Sequence, residues 1–239
     1  DNKGKAAEFE ENFRKRIPPE YNTEEAREVW SKLYELGKKG YFPEGVAALN
    51  HTQSQMLVLQ GKAAMVSTGD WVENEMKTST PDGFQWGFMA VPITNDPNQQ
   101  KWIQNGNANG TIVIWPAKDE LKKKWAKEFV LWLLTMDVQA YNAKDAGIYP
   151  VRKDFFDDPA RVESMQGALK SVAEYMKDNP SRFISFDYRE TIGQAPEFSQ
   201  ASKVISENIP NITLGKTDPL PLLEEAEALY QKGYDSLKK

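Results

Sequence analysis

The sequence predicts a helix-rich α/β protein, and three observations support this. Several segments repeat apolar residues at helical spacing, three shorter ones carry β-forming residues between turn signals, and no apolar run is long enough to span a bilayer. The longest such run, FVLWLL, is far shorter than the roughly 20 residues that a membrane helix needs. About three strands are fewer than the usual sheet of about five or six. The sheet is therefore predicted to be incomplete.

Two helices are predicted near the start from their caps and apolar spacing. Thr23 precedes the pattern EEAREVWSKLYELGKKG, which ends at Gly37 or Gly40. In HTQSQMLVLQGK, Thr52 is the predicted cap of a second, shorter helix that ends at Gly61, and the neighbouring His51 is a helix-start residue. The first helix is expected to face a core.

The most pronounced helical pattern covers residues 118–136. Its apolar positions repeat near the helical period, at Leu121, Trp125, Phe129, Leu133 and Met136. Three further helices are predicted near residues 160–177, 196–208 and 219–237. The segment AKDAGIYPVRKDFFDDP, which lies between the helix at 118–136 and the first of these three, is predicted to be a turn region.

Three strands are predicted between these helices. AAMVST at 63–68 is expected to be a buried strand, and FQWGFMAVP at 84–92 and TIVIWPA at 111–117 carry the β-forming residue types. Four tryptophans in or near these elements are interpreted as core residues: Trp86, Trp115, Trp125 and Trp132.

Composition and charge exclude several functions. A net charge of -5 makes nucleic-acid binding improbable, because such binding depends on clustered Lys and Arg. The sequence has no cysteine, so thiolate catalysis, thiolate metal sites and internal disulfides are excluded. With one histidine, His51, a metal-hydrolase centre or a Ser-His triad is disfavoured, and no metal or cofactor is expected. The first residues lack the apolar core of a signal peptide.

The segment GKAAMVSTGDWVENEM carries the most specific candidate site. Trp71 follows a predicted strand and a Gly69 turn, so its indole either faces a ligand cleft or packs below the turn. Asp70 is either the N-cap of the next helix, which we favour, or an acceptor for ligand hydroxyls. Packing and ligand binding both remain open from these residues alone.

At LVLQGKAAMVSTGDW the chain resembles bacterial ABC-importer solute-binding proteins of the carbohydrate-binding, maltose-binding-protein-like family. The matching positions are Gly61, Lys62, Ala64, Met65, Gly69 and Trp71. The resemblance continues in the family's order through WGFMAVP, TIVIWPA, AKEFVLWLL, GIYPVRKD and LGKTDPLPLLEEA. It therefore covers nearly the whole chain.

This resemblance implies a type II periplasmic-binding-protein-like fold, in which two lobes close on a ligand. Residues 1–104 would belong to the C-terminal lobe, 105–150 to a hinge crossing and a segment of the N-terminal lobe, and 151–239 to the C-terminal lobe again. The start of such proteins has no counterpart here, so the chain is expected to be a C-terminal portion that lacks most of the N-terminal lobe. Such a portion alone should bind ligand weakly or not at all, since a cleft needs both walls.

The function implied by the resemblance is non-catalytic. The chain would bind a carbohydrate, with an oligosaccharide as the expected ligand, and deliver it to the transmembrane subunits of an ABC permease, acting as a monomer. It would be extracellular, anchored as a lipoprotein in a Gram-positive bacterium, or periplasmic. The expected ligand-binding residues are Trp71, Asp70, Asn105, Asn107, Tyr149, Phe186 and Tyr188.

Several of these residues have structural alternatives. The Asn-Gly cluster around Asn105 and Asn107 is also a common turn pattern, and Phe186 and Tyr188 could equally be core residues. Two other functions stay open: a glycoside-processing enzyme with Asp70 and Glu73 as paired carboxylates, and a lobe that acts only as an interaction module.

Overall fold

A computed structural model describes residues 6–89, 91, 103–105, 112–116, 118–178, 182–184, 190 and 192–238. They divide between two compact units. The described parts of Asp1–Asn50 and Ser185–Lys239 form the first unit, and the described residues between His51 and Ile184 form the second.

The described part of the chain is mainly helical. In chain order its elements are α1 (Ala6–Lys15), α2 (Glu24–Lys38), α3 (His51–Leu59), α4 (Val72–Glu75), β1 (Ile103–Asn105), α5 (Glu120–Leu133), α6 (Met136–Tyr141), α7 (Pro159–Glu163), α8 (Gly167–Asp178), β2 (Arg182–Ile184), α9 (Pro196–Ser206), α10 (Ile209–Thr213) and α11 (Pro219–Ser236). Short 3-10 helices cover Val46–Ala48 and Lys153–Asp157, and a π-helical turn covers Asn142–Ala146. None of the described helices is long and apolar enough to cross a membrane.

The core of the first unit lies where α11 packs against α9 and α2. Its buried positions share one helical face on each element: Ala201, Ile205, Leu223, Ala226 and Tyr230. The Tyr230 hydroxyl donates a hydrogen bond to the carbonyl oxygen of Arg16 at 3.0 Å, which satisfies its polar end within an apolar setting. This face stabilises the unit by removing apolar area from water.

A carboxylate on α11 holds the loop that leads into α2. Glu227 accepts hydrogen bonds at one carboxylate oxygen from three consecutive backbone amides, those of Glu20, Tyr21 and Asn22, at 2.9, 2.7 and 3.0 Å. Hydrogen bonds to an ionised acceptor are stronger than neutral ones. The side chain therefore fixes a turn whose amides would otherwise need other partners.

The helix predicted after Thr23 is confirmed as α2. The Thr23 hydroxyl accepts a hydrogen bond from the amide of Ala26 at 3.0 Å, and the chain leaves the helix at Gly40, whose φ of 72° suits glycine. Gly37 lies inside the helix and has a different role: a Cβ there would lie 2.5 Å from the carbonyl oxygen of Thr213. The absence of a side chain lets two backbones approach closely.

The second unit has its own apolar cluster, built from α6 to α8. Its buried members are Ala143, Phe155, Met165 and Leu169. The single helix predicted near 160–177 is two helices, α7 and α8, with a break between Glu163 and Gly167. The predicted turn region, which starts at Ala143, begins instead inside the π-helical turn, which Gly147 ends.

The described part contains one strand pair, the parallel ladder of β1 and β2, in which Asn105 pairs with Ile184. The strands predicted at 63–68, 84–92 and 111–117 are wrong where these segments are described, because no described strand pairs with them. Met65 is 68% exposed, so the first of these segments is not buried either. β-forming composition alone makes a strand only where a neighbour supplies hydrogen bonds.

The helix predicted at 118–136 is confirmed as α5, with Asp119 as its N-cap. Its apolar face, however, is open to solvent: Trp125 is 62% exposed and Trp132 54%. Trp115, in the segment before it, is 81% exposed. The prediction that these three tryptophans are core residues is therefore wrong, whereas Trp86 is half-buried and packs edge-on to Phe84. Helical spacing identifies an apolar stripe but not what covers it.

Candidate functional site

The candidate site lies in the second unit, at the turn before α4. The indole of Trp71 folds back over Gly69, so closely that a Cβ at Gly69 would overlap the benzene edge of the ring. Gly69 thus leaves the space that the ring occupies. The indole itself is 41% exposed. The interpretation of Trp71 as a residue packed in the core is therefore not supported, and one side of a held aromatic ring is open to solvent.

Asp70 directly precedes Trp71 in the chain, and its carboxylate faces a second turn of the same unit. The backbone amides of Asp70 itself, Tyr149 and Trp71 face its carboxylate. Burial raises the pKa of Asp70 above its ordinary value, and these amides oppose that rise. The favoured N-cap assignment is wrong: the N-cap of α4 is Trp71, and no side chain caps it.

Tyr149 is brought to the same place by the turn that follows the π-helical segment. Burial, and then the nearby charge of Asp70, raise the pKa of the Tyr149 hydroxyl to about 12. The ring packs against Phe156, with centroids 5.3 Å apart, and borders the Phe155 cluster. Its apolar body is therefore anchored, while its hydroxyl stays protonated at neutral pH. Together, Asp70, Trp71 and Tyr149 are called the Trp71 cluster below.

Two features position the Tyr149 turn: a close approach to α4 at Gly147, and hydrogen bonds of the Gln139 side chain on α6. Gly147 has a φ of 66°, and a Cβ there would lie 2.8 Å from both the Cβ of Asn74 and the Oε1 of Gln166. Gln139, which is only 6% exposed, accepts a hydrogen bond from the amide of Val151 at 2.9 Å and donates one to the carbonyl of Leu133 at 2.9 Å. The turn is thus clamped on both sides of Tyr149.

Glu73 has a structural partner of its own. Its Oε2 accepts a hydrogen bond at 2.6 Å from the amide of Ala168, in the first turn of α8, where helix amides otherwise lack partners. The alternative in which Asp70 and Glu73 act as a catalytic pair thus uses a carboxylate that already caps a helix. No observation in the described residues favours that alternative.

The turn is supported from the other side by α3. Gln55 is fully buried, and its Nε2 donates hydrogen bonds to Glu75 Oε2 at 2.8 Å and to Thr68 Oγ1 at 3.3 Å. His51 starts α3, as predicted, and its Nε2 lies 3.5 Å from Glu75 Oε2. The side-chain amide of Gln55 therefore joins α3, which precedes the turn, to α4, which follows it.

Of the other predicted site residues, the structure describes only the backbone of Asn105. Asn105 lies in β1, where its backbone pairs with Ile184. Asn107, Phe186 and Tyr188 lie outside the described residues, so their roles stay predictions. Of the seven predicted residues, the structure brings together the three of the Trp71 cluster.

Sequence reasoning missed the residues that support the cluster, namely Gln55, Gln139 and Glu73 in its capping role. Gln55 and Gln139 interrupt apolar stretches, HTQSQMLVL and MDVQAY, and a glutamine in such a place is a weak signal of a buried amide. The order of residues in the sequence does not show which groups these glutamines hydrogen-bond. In the described ranges, no group of three or more His, Asp or Glu side chains could hold a metal ion.

The comparison with protein families identifies the class. Residues 5–167 match the family model described as bacterial extracellular solute-binding protein. The match covers more than half of the chain, so the chain belongs to this family. Neither the curated proteins nor the solved structures gave a match. Membership supports a role in binding a solute for ABC import, and the family is in general non-catalytic.

Proposed function

We propose that this protein binds a carbohydrate, such as an oligosaccharide, and delivers it to the permease of an ABC importer. The observation that carries the proposal is the exposed indole of Trp71, held over Gly69 beside Asp70 and Tyr149. Family membership supplies the solute-binding role, and the chemistry of this cluster supplies the substrate class.

An exposed indole that lies over a turn suits a sugar ring. The C–H groups on one face of a pyranose are apolar, so stacking on Trp71 removes apolar area from water. The carboxylate of Asp70 offers about four acceptor positions, and the three facing amides leave capacity for a ligand hydroxyl. The hydroxyl of Tyr149 both donates and accepts, which matches the hydrogen-bonding character of sugar hydroxyls.

The finer features of the proposal follow from the resemblance described above. The ligand would lie between two lobes of a type II binding-protein fold, with Asn105, Asn107, Phe186 and Tyr188 contributing from other segments. The protein would act as a monomer on the outer side of the membrane, periplasmic or anchored as a lipoprotein. Closure of the lobes would signal the loaded state to the permease.

The test is a titration of intrinsic tryptophan fluorescence with glucose, maltose, maltotriose and xylotriose. We expect a saturable spectral change with an oligosaccharide, with a weak midpoint because one wall of the cleft is expected to be missing, and loss of the change in Trp71→Ala. The matched control is Trp132→Ala, which removes another exposed indole of the same unit, 54% exposed, and should retain the change.

Calorimetry on the same proteins separates binding from optical effects. Wild type and Trp132→Ala should give the same dissociation constant, and Trp71→Ala a constant weaker by roughly 10-fold or more, since aromatic stacking contributes about 1–3 kcal/mol. Absence of sugar binding by the wild type, together with binding of amino acids or peptides, would rule out a carbohydrate substrate.

One observation favours a second candidate function, that of an interaction module without a small ligand. The exposed apolar residues of α5 and of the segment before it leave a surface that a protein partner could cover. Sedimentation of the wild type and of Trp125→Glu distinguishes the two. Self-association that is lost in the variant, with no sugar binding, would favour the module, whereas a monomer that binds sugar would favour the importer role.

A further inference from the structure

A groove in the first unit, distant in sequence from the Trp71 cluster, has a volume of about 660 Å³. Its walls come from the end of α1 and from the segment leading into α9, and its lining residues are Arg16, Ile192, Gly193, Gln194, Ala195, Pro196, Phe198 and Ser199. The walls are mainly apolar, with one permanent positive charge. The groove is open to solvent, so a bound molecule would keep part of its surface in water.

Arg16 occupies a backbone position that glycine usually takes. It ends α1 with a φ of 57°, and the amides of Arg16 and Ile17 bond back to the carbonyls of Phe13 and Asn12 at 3.2 and 2.9 Å. This is the αL end of a helix, where a Cβ is sterically unfavourable. The backbone conformation therefore gives no reason for a residue with a Cβ, although a positive charge near the C-terminus of a helix is electrostatically favourable.

The guanidinium of Arg16 has one buried donor without a partner, and its two terminal nitrogens are the atoms that a ligand in the groove would contact. Its Nε atom is inaccessible to solvent and has no hydrogen-bond partner. The neighbouring carboxylates form ion pairs with other residues. Glu11 and Glu190 pair with Arg14, and Glu197 at the start of α9 pairs with Lys232 at 3.2 Å. No carboxylate of the described residues pairs with Arg16. A desolvated donor left in this state is costly.

The lining of the groove would favour an organic carboxylate over inorganic phosphate. The first turn of α9 offers few free amides, because Pro196 has none, Glu197 bonds to its own carboxylate and the amide of Phe198 bonds to Ala195 at 3.1 Å. A bare phosphate would therefore meet only the guanidinium and the polar side chains. A carboxylate with an apolar tail would pair with the planar fork of Arg16 and cover Ile192 and Phe198.

We propose that this groove is a second ligand site, specific for small organic carboxylates with an apolar tail, and that Arg16 binds the carboxylate. The proposal is independent of carbohydrate binding at Trp71. The ring of Phe198 and the side chain of Ile192 would hold the tail, and Ser199 and Gln194 would complete the polar end.

The experiment follows the arginine Nε–H signals of the ¹⁵N-labelled protein by NMR during titration with hexanoate, inorganic phosphate and 1-hexanol. The Arg16 signal is identified by its absence in Arg16→Gln. We expect a saturable shift of this signal with hexanoate, at a midpoint about 10-fold or more below that for phosphate, and no shift with hexanol.

Variants separate binding from folding. Arg16→Gly removes the guanidinium and suits the left-handed backbone, so it should fold with an equal or higher melting temperature and show no hexanoate-induced shifts in groove amides. Arg14→Gln, which removes a paired surface arginine, should bind hexanoate as the wild type does. Hexanoate binding that persists in Arg16→Gly, or that phosphate equals, would overturn the proposal, as would the absence of saturation in the wild type.

Discussion

The helices α11 and α5 carry similar apolar spacing but have opposite environments. On α11, Leu223 and Ala226 are fully buried and Tyr230 is 3% exposed, whereas on α5 the corresponding face leaves Leu121 and Trp125 each 62% exposed. Both helices begin with an aspartate cap, Asp218 and Asp119, so their local signals are equally good. The difference lies in what each face meets.

The comparison teaches that apolar periodicity has two separable consequences. It makes a helix amphipathic, and this was correct for both segments. It contributes to stability only when another element covers the face, and α2 and α9 do so for α11. The predictions below test this difference, from the largest expected effect to the smallest.

Leu223→Ala should lower the free energy of unfolding by about 2–5 kcal/mol, because it opens a cavity in the core of α11. The matched change on α5, Leu121→Ala, should alter it by less than about 0.5 kcal/mol, since that side chain lies in solvent. Urea unfolding followed by circular dichroism measures both. Equal costs for the two variants would mean that α5 is covered in solution.

Glu227→Gln should cost about 1–3 kcal/mol, because three amides of the loop before α2 lose a charged acceptor. Glu224→Gln, on the same helix, is the control: Glu224 is exposed and only pairs with Arg27, so its loss should cost less than about 1 kcal/mol. Denaturant unfolding of both variants in one buffer gives the difference. A Glu227→Gln variant as stable as the wild type would contradict the role of this carboxylate.

Gly69→Ala tests the ring that the second unit holds in place. The new Cβ would collide with the indole of Trp71, so we expect a cost of about 1–3 kcal/mol or a displaced ring with an altered emission spectrum. Gly87→Ala adds a Cβ where no atom lies within 4 Å and should leave the Trp71 emission unchanged. Tryptophan fluorescence and thermal unfolding distinguish the two variants. An unchanged spectrum and stability in Gly69→Ala would contradict the contact.

The smallest expected effect is a pH dependence at Tyr149. Its pKa rises from 10.0 to about 12 in the folded protein, so the folded state keeps a proton that the unfolded chain loses. Its contribution to stability is therefore complete below pH 10 and falls as the pH rises toward 12. Ultraviolet titration near 295 nm should show a late-titrating tyrosine that Tyr149→Phe removes. A titration curve whose late part is unchanged in the variant would contradict this assignment.

The sequence alone determined the parts of this protein that local interactions govern. The cap at Thr23, the ends at Gly40 and Gly61 and the helical spacing of α2, α5, α9 and α11 were predictable, because a helix satisfies its own backbone and depends on neighbours within about four residues. The predicted cap Thr52 is wrong, since it lies inside α3. Gly69 and Trp71 were likewise singled out by their order in the chain.

The tertiary structure alone decided what depends on distant partners. The predicted strands at 63–68, 84–92 and 111–117 lack paired neighbours where they are described, and the stripe of α5 is uncovered. The approach of Asp70 to the amide of Tyr149, and the clamps made by Gln139 and Glu73, join residues far apart in sequence. Hydrogen-bond partners and burial are properties of the folded chain, and for this reason spacing could propose Trp71 but could not supply its surroundings.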